Sequence, residues 1–113
     1  MTDSCLFCRI VRNEIPATIV FEDDTVLAFR DIDAKAPTHV LVIPREHVAS
    51  LNDAKDAPLL GTLQIAAAKI ARSEGIAETG YRTVMNCGAD AGQTVFHVHL
   101  HLLGGRKLAW PPG

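Results

Sequence analysis

The chain has 113 residues, 48% hydrophobic and 21% charged, enough for one domain with a real core and too short for two. Its net charge of −2, with histidine neutral, gives no basic footprint for duplex nucleic acid. No apolar run approaches the ~20 residues that cross a bilayer, so no membrane association is expected.

The opening stretch Met1-Thr2-Asp3-Ser4-Cys5 lacks a basic region followed by an apolar one. No secretory signal is read there, and a cytoplasmic, reducing setting is expected. In that setting Cys5, Cys8 and Cys87 are not expected to form structural disulfides. Cys5-Leu6-Phe7-Cys8 is a Cys-x-x-Cys. A redox pair would want this spacing at a helix start after a strand, and no strand fits before it. Half a zinc site and a buried apolar pair both remain open, and zinc would need two further ligands.

Phe7, Ile10, Val11 and Ile15 fit a short amphipathic helix or turn ending before Pro16. Thr18 to Glu22 reads as a strand, Asp23-Asp24 as a turn and Thr25 to Ile32 as a second strand, together a hairpin. Residues 33–37 form a loop. His39 to Pro44 is a third strand, mostly apolar and central, which Pro44 ends. His39 opens it, either as a functional residue or as a solvated histidine at a strand edge. Arg45 to Val48, which includes His47, is a turn. A helix follows, with Asp56 as its cap and Pro58 at its start. Leu59, Leu60, Leu63, Ala66, Ala67 and Ile70 recur at helical spacing, Lys69 and Arg72 lie toward its C-terminal end, and Gly75 stops it. Gly80 to Asn86 is a fourth strand. The loop Cys87 to Thr94 is built of small and polar residues, which let backbone N–H groups approach an anion closely.

The stretch Gln93 to Leu103 is the most informative. Three of the five histidines, His97, His99 and His101, occupy alternate positions, with Val98, Leu100 and Leu102 filling the other slots. Period 2 predicts a strand with one aliphatic face and one face of imidazoles. Such a row is costly unless used, because charged imidazoles repel and buried neutral ones need partners. Three readings stand: a half-exposed strand, a metal-binding His-x-His as in metal-dependent hydrolases, and an imidazole nucleophile flanked by orienting groups. Gly104-Gly105 ends the strand, and a tail runs to Trp110-Pro111-Pro112-Gly113. Five strands with one main helix and no regular βαβ alternation suggest an α+β domain, residues 1–113, with an antiparallel sheet.

His97-Val98-His99-Leu100-His101-Leu102-Leu103 resembles the motif of the histidine triad (HIT) family. Phe29-Arg30-Asp31-Ile32, Ala36-Pro37-Thr38-His39, Val42-Ile43-Pro44, Gly80-Tyr81-Arg82, Asn86 and Gly92 to His97 resemble it too, in the right order. Gly104-Gly105-Arg106 and the Trp-Pro-Pro-Gly ending are similar to the Hint branch, the nucleoside phosphoramidate hydrolases. The resemblance implies a HIT-like fold: a five-stranded sheet with one main helix and a short N-terminal one, dimerising into a sheet of ten strands. It implies a pocket for a purine nucleotide such as AMP or GMP. Asp31 would hold the ribose and Ile32 would pack on the base. Asn86, Gly92, Gln93, Thr94 and His101 would contact phosphate or leaving group. His99 would be the nucleophile, with His39 behind it, orienting the catalytic imidazole. Trp110 would lie near the partner subunit's active site. The resemblance also implies one structural zinc per chain, on Cys5, Cys8, His47 and His97, and no catalytic metal. The activity implied is hydrolysis of a purine nucleoside phosphoramidate through a nucleotidyl-histidine. The alternatives are a nucleotide-binding scaffold with incidental hydrolysis, a dinucleoside polyphosphate hydrolase, and a metal-dependent hydrolase using His97, His99 and His101 directly.

Overall fold

Two α-helices and five strands follow one another among the described residues: α1 (Leu6–Val11), β1 (Ile19–Glu22), β2 (Val26–Arg30), β3 (Thr38–Pro44), α2 (Ala57–Ser73), β4 (Tyr81–Val84) and β5 (Leu100–Gly104), with a short 3-10 turn at Leu51–Asp53 before α2. The structure is a computed structural model and describes residues 4–113. Met1, Thr2 and Asp3, part of the stretch read above for a leader, lie outside the described residues. The five strands form one sheet in the order β1-β2-β3-β5-β4, with every neighbouring pair antiparallel. No helix among the described residues is long and apolar enough to cross a membrane.

Turn chemistry makes the first hairpin. Asp23 Oδ1 accepts from the N–H groups of Thr25 and Val26, both at 2.8 Å, which closes the turn between β1 and β2. β3 is buried at all seven positions. It lies mid-sheet with both faces covered, and so its sequence is a continuous apolar run rather than an alternation. On one face Val26, Ala28, Val40, Val42, Val98, Leu100 and Leu102 pack against Leu63, Ala66, Ala67, Ile70 and Ala71 of α2. On the other, Leu27, Phe29, Leu41 and Ile43 pack against Phe7 of α1. α2 begins as expected: Asp56 Oδ1 accepts from Leu59 N–H at 3.1 Å. It ends where Gly75, at φ +76°, takes the left-handed conformation.

The fifth strand is shorter than the expected 93–103. The ladder between β3 and β5 runs from Val42 opposite Leu100 to Thr38 opposite Gly104. Two positions beyond Val42 the partner would be Pro44, which has no N–H to donate, so pairing stops. Val98 N–H bonds instead to Val48 C=O at 2.7 Å. His97 and His99 therefore sit on the approach to β5, not within it. The alternation itself survives, because Val98, Leu100 and Leu102 all enter the core under α2.

Candidate active site and metal centre

The imidazole side of the sheet faces α1. His97, His99 and His101 project there with His39, and each ring's tautomer follows from the backbone group it meets. His97 Nε2 lies 2.8 Å from Pro44 C=O, which can only accept, so Nε2 carries the proton and Nδ1 the lone pair. His99 Nδ1 donates to the carbonyl of His97 at 2.7 Å, which leaves its Nε2 lone pair unused. Lys35 N–H donates to His39 Nδ1 at 3.0 Å, so the proton of His39 sits on Nε2. That N–H donates to His101 Nδ1 at 2.9 Å, and His101 in turn carries its proton on Nε2. His99 thus offers an acceptor nitrogen and His101 a donor, one residue apart along the face, with ring centroids 5.1 Å apart.

This differs from the expected placement of His39. It bonds to His101, and the group behind His99 is the His97 carbonyl. Register explains the difference. Leu41 is opposite His101 and His39 opposite Leu103, so His39 and His101 are diagonal neighbours on one face. Burial, then the neighbouring His99 and His39, push His101 down to about 4 against an opposing pull from Asp31. Burial also lowers His39, with Asp31 opposing. Both rings are therefore neutral near pH 7.

A cavity of about 600 Å³ opens over this face. Leu6, Phe7, Ile10, Phe29 and Leu41 form an apolar part, and Asp31, His39, Asn86, Thr94, His99 and His101 a polar one. Asp31 Oδ2 is 3.4 Å from His39 Nε2, and Oδ1 accepts from Asp33 N–H at 2.8 Å. Ile32 stands fully exposed at the rim. Gln93 does not face the cavity. Its amide is buried, donates to Ala49 and Val95 carbonyls and accepts from Gly88 N–H, so it staples the loop rather than presenting a donor. Gly92, at φ +90°, turns that loop and does not line the cavity either. Trp110 is 78% exposed and lies under the Arg82 guanidinium; the tail reaches the cavity of its own chain through Pro112 instead.

Phe7 is the contact that sequence reasoning missed. Its ring meets His99 edge-on at 5.1 Å and 89°, and His97 at 6.0 Å. The motif alone did not mark it: Leu6, equally apolar and inside the same Cys-x-x-Cys, is exposed, and only the fold decides which of the two turns inward.

Cys5, Cys8, His47 and His97 converge, with one ligand atom from each and all four within 4.8 Å of one another. Cys5 Sγ is 3.4 Å from His97 Nδ1, Cys8 Sγ is 3.2 Å from His47 Nδ1 and 3.5 Å from His97 Nδ1. A tetrahedral Cys₂His₂ ion with ordinary metal–ligand lengths sets its sulfur and nitrogen about 3.5 Å apart. The cluster fits such an ion. The Pro44 carbonyl supplies the outer hydrogen bond that keeps the ligating nitrogen of His97 unprotonated. Burial, then the Cys5 sulfur, raise the Cys8 thiol to about 11. A divalent cation is the partner that would draw off that proton. Asp31, His39 and His101 also bring one ligand atom each within 4.8 Å of one another. Their donor set fails, since Lys35 N–H occupies His39 Nδ1 and leaves Nε2 protonated.

Residues 12–108 match the HIT domain. The chain is 51% identical over 110 residues to the purine nucleoside phosphoramidase of Escherichia coli strain K12, covering 96% of this chain and 92% of that protein. It is 54% identical over 115 residues to an uncharacterized HIT-like protein of Synechococcus elongatus, with 100% of each covered. Among solved structures it superimposes on a HIT family hydrolase from Legionella pneumophila Philadelphia 1 with a TM-score of 0.95 at 55% identity, over 97% of this chain and 100% of that one.

Proposed function

Because the chain belongs to the HIT domain family, we propose that it hydrolyses purine nucleoside phosphoramidates through a covalent nucleotidyl-histidine on His99. The observation that carries the reading is the hydrogen bond from His99 Nδ1 to the His97 carbonyl. It leaves the Nε2 lone pair of a cavity-lining imidazole as the free nucleophile.

Nε2 of His99 attacks the α-phosphorus in line. A nitrogen–phosphorus bond forms to His99 as the bond to the substrate amine breaks, and the amine takes its electron pair and a proton. Water then adds to phosphorus, the bond to His99 breaks, and the ring leaves neutral. The proton released by that water balances the one taken up by the amine. The product is a nucleoside monophosphate. His101, neutral and presenting Nε2–H, donates to the phosphoryl oxygens. His39 holds it in that tautomer. Thr94 lines the cavity and bonds to no other described residue, so it, rather than the inward-turned Gln93, serves the leaving group. Asn86 reads the phosphate from the same wall, and Gly92 and Gln93 shape the loop behind it.

Asp31 takes the ribose hydroxyls, and Ile32 finds in a bound purine the apolar cover it lacks. Zinc, one per chain, is the ion proposed for Cys5, Cys8, His47 and His97. Four protein ligands close its sphere to water, so its part is to fasten α1 to the approach of β5. No catalytic metal is included. β4 is one of the two edge strands, and Tyr81 on it and Ile65 on α2 are exposed apolar residues. They support a homodimer whose two sheets join into one of ten strands, with the exposed Trp110 left for the partner's cleft. Three cysteines outside any disulfide fit a reducing, cytoplasmic setting.

His99→Ala is expected to abolish turnover of adenosine 5′-phosphoramidate while fold and nucleotide binding persist. Mass spectrometry of quenched wild-type protein is expected to place a nucleotidyl adduct on the peptide holding His99. An adduct on another residue, or turnover surviving the substitution, refutes the assignment.

A further inference from the structure

The polypeptide leaves β5 through Gly105, whose φ is +91° and where a Cβ would come within 2.9 Å of Pro37 Cβ. The tail therefore presses directly on the loop that leads into His39. Arg106, next along, lies outside the cavity lining. Its Nη2 donates to the Lys35 carbonyl at 2.8 Å, and its Nη1 donates to the Lys107 carbonyl at 2.8 Å. Lys35 is the residue whose N–H fixes the tautomer of His39. Its backbone is thus held by two groups, the imidazole on one side and the guanidinium on the other.

We infer that Arg106 is a positioning residue for the His39–His101 pair, acting through the Lys35 backbone. The chain of contacts is continuous: Arg106 guanidinium to Lys35 carbonyl, Lys35 N–H to His39 Nδ1, His39 Nε2–H to His101 Nδ1. The first link holds the Lys35 backbone in place, each of the next two sets the proton of the ring it meets, and the last leaves Nε2–H of His101 facing the substrate. The planar fork of an arginine suits this task because it spans two carbonyls, one on the loop and one on the tail. Loosening the Lys35 backbone removes the N–H that forbids a proton on His39 Nδ1. His39 then samples both tautomers, and so does His101. The kinetic consequence rests on the phosphoramidase reading; the tautomer consequence does not.

Arg106→Gln and Arg106→Lys test this. Long-range proton–nitrogen spectra at neutral pH are expected to show His39 and His101 as single Nε2–H tautomers in the parent protein and as mixtures in Arg106→Gln. With adenosine 5′-phosphoramidate, kcat is expected to fall roughly fivefold, the net contribution of about one hydrogen bond, while KM stays the same. Arg106→Lys keeps the charge but reaches one carbonyl, so it is expected to give an intermediate mixture and partial recovery of kcat. Should Arg106→Gln fail to fold, the lysine variant decides by the same spectra. Unchanged tautomers in a folded variant overturn the inference, whether or not kcat falls. A tautomer shift in a protein that turns over no phosphoramidate upholds the positioning and sinks the proposed function instead.

Discussion

Cys5→Ser separates the proposed metal-ligating role of Cys5 from its capping one. Cys5 caps α1, its sulfur accepting from Cys8 N–H at 3.3 Å. Serine is a favoured capping residue, so the substitution keeps the cap and removes one thiolate. α1 has six residues, far too few to be stable alone, and is held by the contacts of Cys5 and Cys8 with His97 and His47 and by Phe7, which is 4% exposed. Burying a phenylalanine contributes about 2–3 kcal/mol. Losing the ion frees α1 to fray and puts a stabilisation of that order at risk. In a domain of this size a loss of about 3 kcal/mol lowers Tm by roughly 10 °C. The expected result is a parent protein with about one zinc per chain by elemental analysis, a Cys5→Ser variant with little or none, and a Tm lower by that amount in calorimetry. Turnover is expected to fall as well, because Phe7 and the His97 carbonyl both touch His99. A variant that keeps its full zinc complement and its Tm refutes the ligand assignment. Zinc retained with His39 and His101 as its ligands would also overturn the tautomer argument.

Two further outcomes follow from the packing and the buried imidazoles. Leu63→Ala removes a fully buried side chain between α2 and the sheet, and a loss of about 2–5 kcal/mol is expected in urea unfolding, with little change in m. As pH falls, the unfolded chain binds protons at its histidines from ~6.5 downward, whereas His101 in the fold stays neutral until about 4. Stability is therefore full above pH ~6.5 and declines between there and about 4, with His39 adding to the same slope. Urea midpoints measured across that window check it, and a flat profile contradicts the burial of these rings as neutral groups.

Much of the architecture was legible because it rests on local signals. Asp56, Pro58 and Gly75 marked the ends of α2 through capping, fixed φ and the left-handed turn. The aliphatics at 98, 100 and 102 marked a core face through period 2. The Cys-x-x-Cys by its spacing left half a zinc site and an apolar pair open, and His47 and His97 were named only through the family resemblance; the match to the HIT domain begins past both cysteines. His47 joins them because β3 ends beside the approach to β5, a long-range fact. Gln93 illustrates the opposite case. A polar residue in a small-residue loop next to a reactive strand reads as a ligand-facing donor, yet the fold spends its amide on Gly88, Ala49 and Val95.

The sequence by itself determined that three imidazoles share one face, that an apolar stripe opposes them, and that the chain carries the HIT pattern, since each depends on residue type and short spacing. Only the tertiary structure decided what each ring is prepared to do. An imidazole's chemistry depends on which nitrogen holds the proton, and here that is set by Pro44 C=O for His97, Lys35 N–H for His39 and the His97 carbonyl for His99. Backbone carbonyls occur in every residue and N–H groups in all but proline, so no sequence pattern marks which of them will meet a given ring; the register of β3 against β5 and the course of two loops do.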